Sequence, residues 1–96
     1  MPYIEIIIHP AVEEKIEVKH NVRVDEVWEV FHNPDFKAII YKSPRKGEKR
    51  YLALGRTFAG RYLTVAFVRP KKNAVRIITA RDMERNERRQ YNRKRR

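Results

Sequence analysis

From Phe36 onward the apolar residues recur at every second position, and that period most limits what the chain can fold into. KAIIYK (37–42), RYLAL (50–54), RYLTVAFVR (61–69) and AVRIITA (74–80) each read as a strand with one face turned toward a core. The connectors SPRKGE, GRTFAG and PKKN are rich in turn formers and too short for a crossover, so neighbouring strands are expected to be antiparallel. In the third strand Leu63, Val65 and Phe67 point one way, and Tyr62, Thr64, Ala66 and Val68 the other. Both sets are largely apolar, which predicts a central position in the sheet.

Upstream the period changes. YIEIII (3–8) reads as a first strand, and Pro10 suits the first turn of a helix. AVEEKIEVKH then predicts a short helix with Val12, Ile16 and Lys19 on one stripe and Glu13, Glu14 and Glu17 toward water. VDEVWEVFHN predicts a second helix with Val24, Val27, Trp28 and Phe31 on its apolar stripe, which puts Trp28 in the core. Arg23 is a poor cap for it, partly offset by Asp25 and Glu26 in the first turn, and Asn33-Pro34 ends it. A last helix is expected from Asp82, its cap, with Met83, Glu87 and Tyr91 on one stripe, and residues 93–96 form a frayed basic tail. The order β-α-α-β-β-β-β-α describes an α+β domain, its helices packed on one face of an antiparallel sheet and the C-terminal one short. At 96 residues, without repeats or a linker, residues 1–96 are expected to form a single domain.

The chain has no cysteine, which excludes disulfides and thiolate metal sites. No apolar run approaches the length of a membrane span or of a signal segment, so a cytoplasmic protein is expected. Charge is split along the chain. Residues 1–36 hold 3 basic and 8 acidic side chains, whereas residues 37–96 hold 20 basic and 4 acidic. A field concentrated on one half attracts and orients a polyanion, so RNA, DNA or an acidic protein is the expected partner. No segment has the long Lys-rich amphipathic pattern of an interfacial anchor, and no membrane partner is expected.

Three blocks, KHNVRVDEVWEVF, LALGRTFAGRYLTVAFV and RIITARDMERNERRQY, resemble the toxins of the BrnT type, within the wider RelE/ParE-like group. The resemblance runs from about Lys19 to Tyr91, with the blocks in the family's order. The N-terminus departs from the pattern: IEIIIHPAVEEKIEVKHN lacks the aromatic-Trp-Asp strand end and carries Asn21 in place of a Gly. Glu84 stands where a Ser or Thr often caps the last helix. The resemblance implies a RelE-like fold and a ribonuclease toxin that stops translation by cutting RNA, free or on the ribosome. It further implies a ribbon-helix-helix antitoxin of the BrnA type, whose complex with the toxin binds promoter DNA.

RNA cleavage needs an acceptor for the 2′-hydroxyl proton, cations around the phosphate and a donor for the leaving oxygen. His9, His20 and His32 are scattered, the carboxylates do not cluster and HExxH is absent, so a metal-independent mechanism without cofactor is expected. Arg56, Arg76 and Arg81 are expected to converge on one side of the sheet, each able to fork onto a phosphate. Arg88 joins them if Arg81, Arg85 and Arg88 form a helical stripe. Glu87, His20 and Lys19 are the candidate proton acceptors, in that order, and Tyr91 is a candidate acid or base-stacking residue. Lys19, Arg61, Arg85 and Arg89 are the expected RNA contacts. Simpler roles compete: Glu87 as a helix pair partner, His20 as a cap, Trp28 as core and the RKRR tail as a diffuse electrostatic contact. A non-enzymatic nucleic-acid-binding module and a toxin aimed at a protein such as gyrase are the alternatives.

Overall fold

The computed structural model describes residues 4–41 and 49–93. The elements run β1 (Glu5–Ile7), α1 (Pro10–His20), α2 (Val24–His32), β2 (Lys37–Tyr41), β3 (Arg50–Arg56), β4 (Tyr62–Lys71), β5 (Ala74–Asp82) and α3 (Arg85–Arg93). The expected order of elements is the observed one. The expected ends of the first strand at Tyr3 and of the second at Lys42, the SPRKG part of the first connector and Glu48, and tail residues 94–96 lie outside the described residues.

The five strands form one sheet in the order β1-β5-β4-β3-β2, so β4 is central as its two apolar faces require. Strands β2 to β5 are antiparallel neighbours, but β1 pairs parallel with β5, Ile6 opposite Val75. The sheet is therefore mixed rather than purely antiparallel. A strand with no hairpin partner is free to add to the edge left open by the last strand, and short connectors say nothing about that pairing.

Helices α1 and α2 cover one face. Ile16, Val27, Val30 and Phe31 pack with Leu63, Val65, Phe67, Val75 and Ile77 in a single apolar cluster. The buried stripe of α2 is Val27, Val30 and Phe31, and Trp28 lies one step round the helix at 47% exposure. The expected burial of Trp28 is thus corrected: Val30 takes the place on the stripe, each such aliphatic residue contributing about 1.5–3 kcal/mol on burial. Close approach of α2 to β3 depends on Gly55, where a Cβ would meet Val30 Cγ1 at 2.9 Å and Phe36 Cβ at 3.1 Å.

Local caps follow from the sequence. His9 Nδ1 accepts from the Ala11 N–H at the start of α1, and Asn21 ends that helix in the left-handed region at φ 54°. At α2 the Glu26 carboxylate accepts from the Arg23 N–H at 3.0 Å, which supplies the cap that Arg23 itself cannot. An irregularity between Ala66 and Phe67 leaves Ile78 unpaired in β5, and Lys15 Nζ donates to its carbonyl at 3.3 Å.

Helix α3 starts at Arg85, not at Asp82, and it lies on the opposite face of the sheet from α1 and α2. Asp82 pairs with Leu63 and the Met83 N–H donates to the Tyr62 carbonyl, so the ladder extends to Asp82 before the chain can turn into a helix. Alternation along β4 sends Thr64 away from the Leu63–Val65–Phe67 face, and the Thr64 hydroxyl meets Glu87 of α3. The helices accordingly cover both faces in part: the acidic pair on one, the Arg-rich α3 on the other.

Candidate active site

The second face of the sheet carries cations at a strand-to-helix junction. Arg81 leaves β5 opposite Thr64, and its guanidinium grips Glu87 with two bonds of 2.8 Å. Glu87 also accepts from the buried Thr64 hydroxyl at 2.9 Å and from the Glu84 N–H at 2.9 Å. The Glu84–Glu87 bond is the reciprocal half of a capping box, so the carboxylate starts α3 and holds Arg81 at once. Arg81 also donates through Nη1 to the Asp82 carbonyl. Of its five donors, Nε–H and one Nη2 hydrogen have no partner among the described residues, and together they form one open edge of the fork.

Electrostatics fix this pair in its ionised form. Hydrogen bonding to Glu87 raises the Arg81 pKa above its ordinary value against the opposing effect of burial. Burial is the largest influence on Glu87 and pushes it up, but the bonds from Arg81, the Glu84 N–H and Thr64 together outweigh it, and the carboxyl sits below its ordinary range. A carboxylate in that state is a weak base, so Glu87 serves better as the buttress of Arg81 than as the leading proton acceptor.

Beside this pair, the Arg88 guanidinium lies over the Tyr62 ring at 3.9 Å and Arg56 lies 5.9 Å from the same ring. Arg56 bonds Asp35 at 3.2 Å, and the Tyr91 hydroxyl, first, with Asp35, raises its pKa. Tyr91 itself is fully buried and meets Tyr62 edge-on, with ring centroids 5.9 Å apart. That burial corrects the reading of Tyr91 as acid or stacking residue, because RNA cannot reach its ring in this arrangement. Tyr62, which alternation sets on the Thr64 side of its strand, is the half-buried aromatic that two arginines share. The pairing of β3 with β4 sets Arg56 opposite Tyr62, and α3 brings Arg88 over the ring.

The remaining candidates separate. Arg76 is on the same face as Arg81, but it pairs with Val68 whereas Arg81 pairs with Thr64, so four residues of strand, roughly 13 Å, lie between them. Arg56, Arg76 and Arg81 therefore do not converge as a triad, and Arg81 is not on a helical stripe with Arg85 and Arg88 because it belongs to β5. Arg61 is committed to the fold: Nε donates to Asp82 at 2.8 Å, Nη1 to Glu26 at 3.0 Å and to the Asn21 carbonyl at 2.7 Å, and Nη2 to the His20 carbonyl at 3.2 Å. Its expected RNA contact is thereby corrected to a staple, since four of its five donors already have internal acceptors. Through Arg61 the end of α1, with His20 and exposed Lys19, is tied to Asp82, the neighbour of Arg81. Arg85 and Arg89 are exposed on α3. Among the described residues no group of three or more His, Asp and Glu side chains is placed to hold a metal ion, and no helix is long and apolar enough to cross a membrane.

Against this geometry the comparisons are specific. The family model of the ribonuclease toxin BrnT, of type II toxin-antitoxin systems, matches residues 10–87. The chain belongs to the BrnT toxin family. Its fold is similar to that in the crystal structure of the Brucella abortus ribonuclease toxin, BrnT, with a TM-score of 0.62 and 22% sequence identity over 85% of this chain and 99% of that one. No curated protein matches the chain. Membership of the BrnT family makes RNA cleavage the general activity and an antitoxin the general partner. The matched span takes in α1 through the first turn of α3, and therefore Arg56, Arg81 and Glu87.

Proposed function

We propose that this BrnT-family chain is a metal-independent endoribonuclease that halts translation in the cytoplasm and is silenced by a ribbon-helix-helix antitoxin of the BrnA type. The observation that carries the reading is the open edge of Arg81. A guanidinium held rigidly by Glu87, with its Nε–H and one Nη2 hydrogen open among the described residues, is preorganised to fork onto a phosphate as charge builds on it. Arg88 and Arg56, gathered around Tyr62, supply further positive charge along the same face.

In this scheme the 2′-hydroxyl attacks the adjacent phosphorus, the bond to the 5′-oxygen breaks, and a 2′,3′-cyclic phosphate and a 5′-hydroxyl are the products. His20 accepts the 2′-hydroxyl proton, and the leaving 5′-oxygen takes a proton from solvent water. Lys19, Arg85 and Arg89 hold flanking phosphates, and Arg76 contacts the strand further along β5. The antitoxin covers the basic face with acidic side chains, and the complex reaches promoter DNA through the antitoxin's own ribbon.

The test is incubation of purified chain with a defined RNA in EDTA, free and on ribosomes. Fragments ending in a cyclic phosphate are expected. Arg81→Ala should lower the cleavage rate by about 100-fold or more, the scale of losing a transition-state charge contact. Arg81→Lys should retain RNA binding yet cleave poorly, because an ammonium cannot fork and cannot grip both Glu87 oxygens. RNA left intact but bound would identify a nucleic-acid-binding module, and gyrase inhibition without RNA cleavage would identify a protein-directed toxin.

A further inference from the structure

The sequence contains a single tryptophan, and the fold leaves it at the surface. Trp28 is 47% exposed and Phe58, in the β3–β4 turn, is 61% exposed, with ring centroids 6.1 Å apart and planes at 82°. Both are held in place. The His32 ring stacks on the indole at 3.9 Å and its Nδ1 lies 2.9 Å from the Trp28 carbonyl, while Glu29 accepts from the Phe58 N–H at 3.0 Å and so fastens the turn to α2. Rigid exposed aromatics lose little entropy on binding and are the residue type that anchors protein interfaces.

Next to the indole is a shallow depression of about 320 Å³ lined by Val24, Asp25, Trp28 and Glu29. Two carboxylates beside an indole face suit a guanidinium or ammonium, which gains a cation–π contact and an ion pair together. Arg23 is the local competitor, but it reaches Asp25 only at 3.7 Å with both side chains largely exposed, a weak pair.

We propose that Trp28, Phe58 and the Asp25–Glu29 depression form a docking surface for a segment of a different protein that presents an Arg or Lys beside an apolar side chain. RNA is disfavoured there because the carboxylates repel phosphate. A second copy of the chain is disfavoured as well. The arginine cluster of Arg81, Arg88 and Arg56 lies on the other face of the sheet, so a contact through it would be head-to-tail rather than two-fold symmetric. The surface is separate from the Arg81 site, and the inference stands independently of the ribonuclease reading.

Trp28 reports on its own occupancy, since all tryptophan fluorescence comes from it. The full chain would be titrated with a synthetic Arg–Leu peptide, with the matching Glu–Leu peptide and with an oligouridine, alongside sedimentation to follow self-association. The Arg–Leu peptide should give a saturable blue shift, while the other two leave the emission unchanged. Because the chain carries a net charge of +11, a basic peptide has no general attraction to it, and saturation requires a local acidic site. Asp25→Asn with Glu29→Gln should weaken the peptide about tenfold, and Phe58→Ala should weaken it several-fold, with circular dichroism and melting temperature unchanged. Gln retains an acceptor for the Phe58 N–H, so the turn stays fastened. A shift produced by the oligouridine, a shift that tracks self-association, an absent shift with the Arg–Leu peptide, or one undiminished in the carboxylate variant would overturn the proposal.

Discussion

Glu87 gathers donors from three elements: Arg81 on β5, Thr64 on β4 and the Glu84 N–H at the head of α3. Its side chain is only 13% exposed, so replacing it strands Arg81 and Thr64. Glu87→Gln should cost about 1–2 kcal/mol at neutral pH, measured by urea unfolding. The folded pKa of Glu87 is depressed, so its contribution is present above the unfolded value near about 4.3 and is lost as pH falls through the lower folded value. The Gln variant should therefore lose less stability on acidification than the parent. Arg61 makes the same argument for a staple. Its pKa is raised, first by the bond to Asp82, and it joins α1, α2 and the β5 end. Arg61→Ala should lower stability by about 2–3 kcal/mol, because Glu26, Asp82 and two carbonyls lose a donor. The RNA affinity of the fraction that remains folded should be nearly unchanged, which a filter-binding assay on material verified by circular dichroism would show.

Between elements, the decisive contacts are α2 on β3 and α3 on β4. Helix α2 approaches closely enough that any side chain at Gly55 collides with Val30 and Phe36. Gly55→Ala should destabilise by about 1–3 kcal/mol, the usual scale of overpacking, with the loss visible as a lower midpoint in thermal unfolding. Much of this layer was legible from periodicity: the period-two segments became β2 to β5, and the three-and-four spacing became α2. Two features were not. Asp82 is a good cap by residue type, yet β4 offered it a ladder partner in Leu63 and the strand continued. The parallel addition of β1 to β5 joins segments about seventy residues apart, and no local spacing encodes such a pairing.

At the scale of the molecule, the sheet separates charge. The acidic first third contributes α1 and α2 to one face, and the Arg-rich last third contributes α3 to the other. Binding of single-stranded RNA to the basic face should fall steeply with salt. With about four phosphate contacts the slope of log K against log salt is about −3, and Arg88→Ala should reduce its magnitude by nearly one. A titration series by fluorescence anisotropy at several ionic strengths measures both.

Composition and order were enough to establish an α+β domain with a central β4, an asymmetric field and an Arg-rich region near the C-terminus, because periodicity and charge are properties of the chain itself. The blocks from Lys19 to Tyr91 were enough to indicate the BrnT family that the match over residues 10–87 establishes. Which arginines stand free was decided by tertiary structure alone. Arg61, Arg76 and Arg81 look alike in sequence, but one is surrounded by acceptors, one lies some way along the strand, and one is braced with an open edge. Trp28 was decided in the same way: a helical stripe wide enough to include it was filled by Val30, and the β3–β4 turn supplied Phe58 from thirty residues away. A guanidinium's role depends on which acceptors long-range pairing delivers to it, and an aromatic ring's on which neighbours cover it. Neither is a local property of the chain.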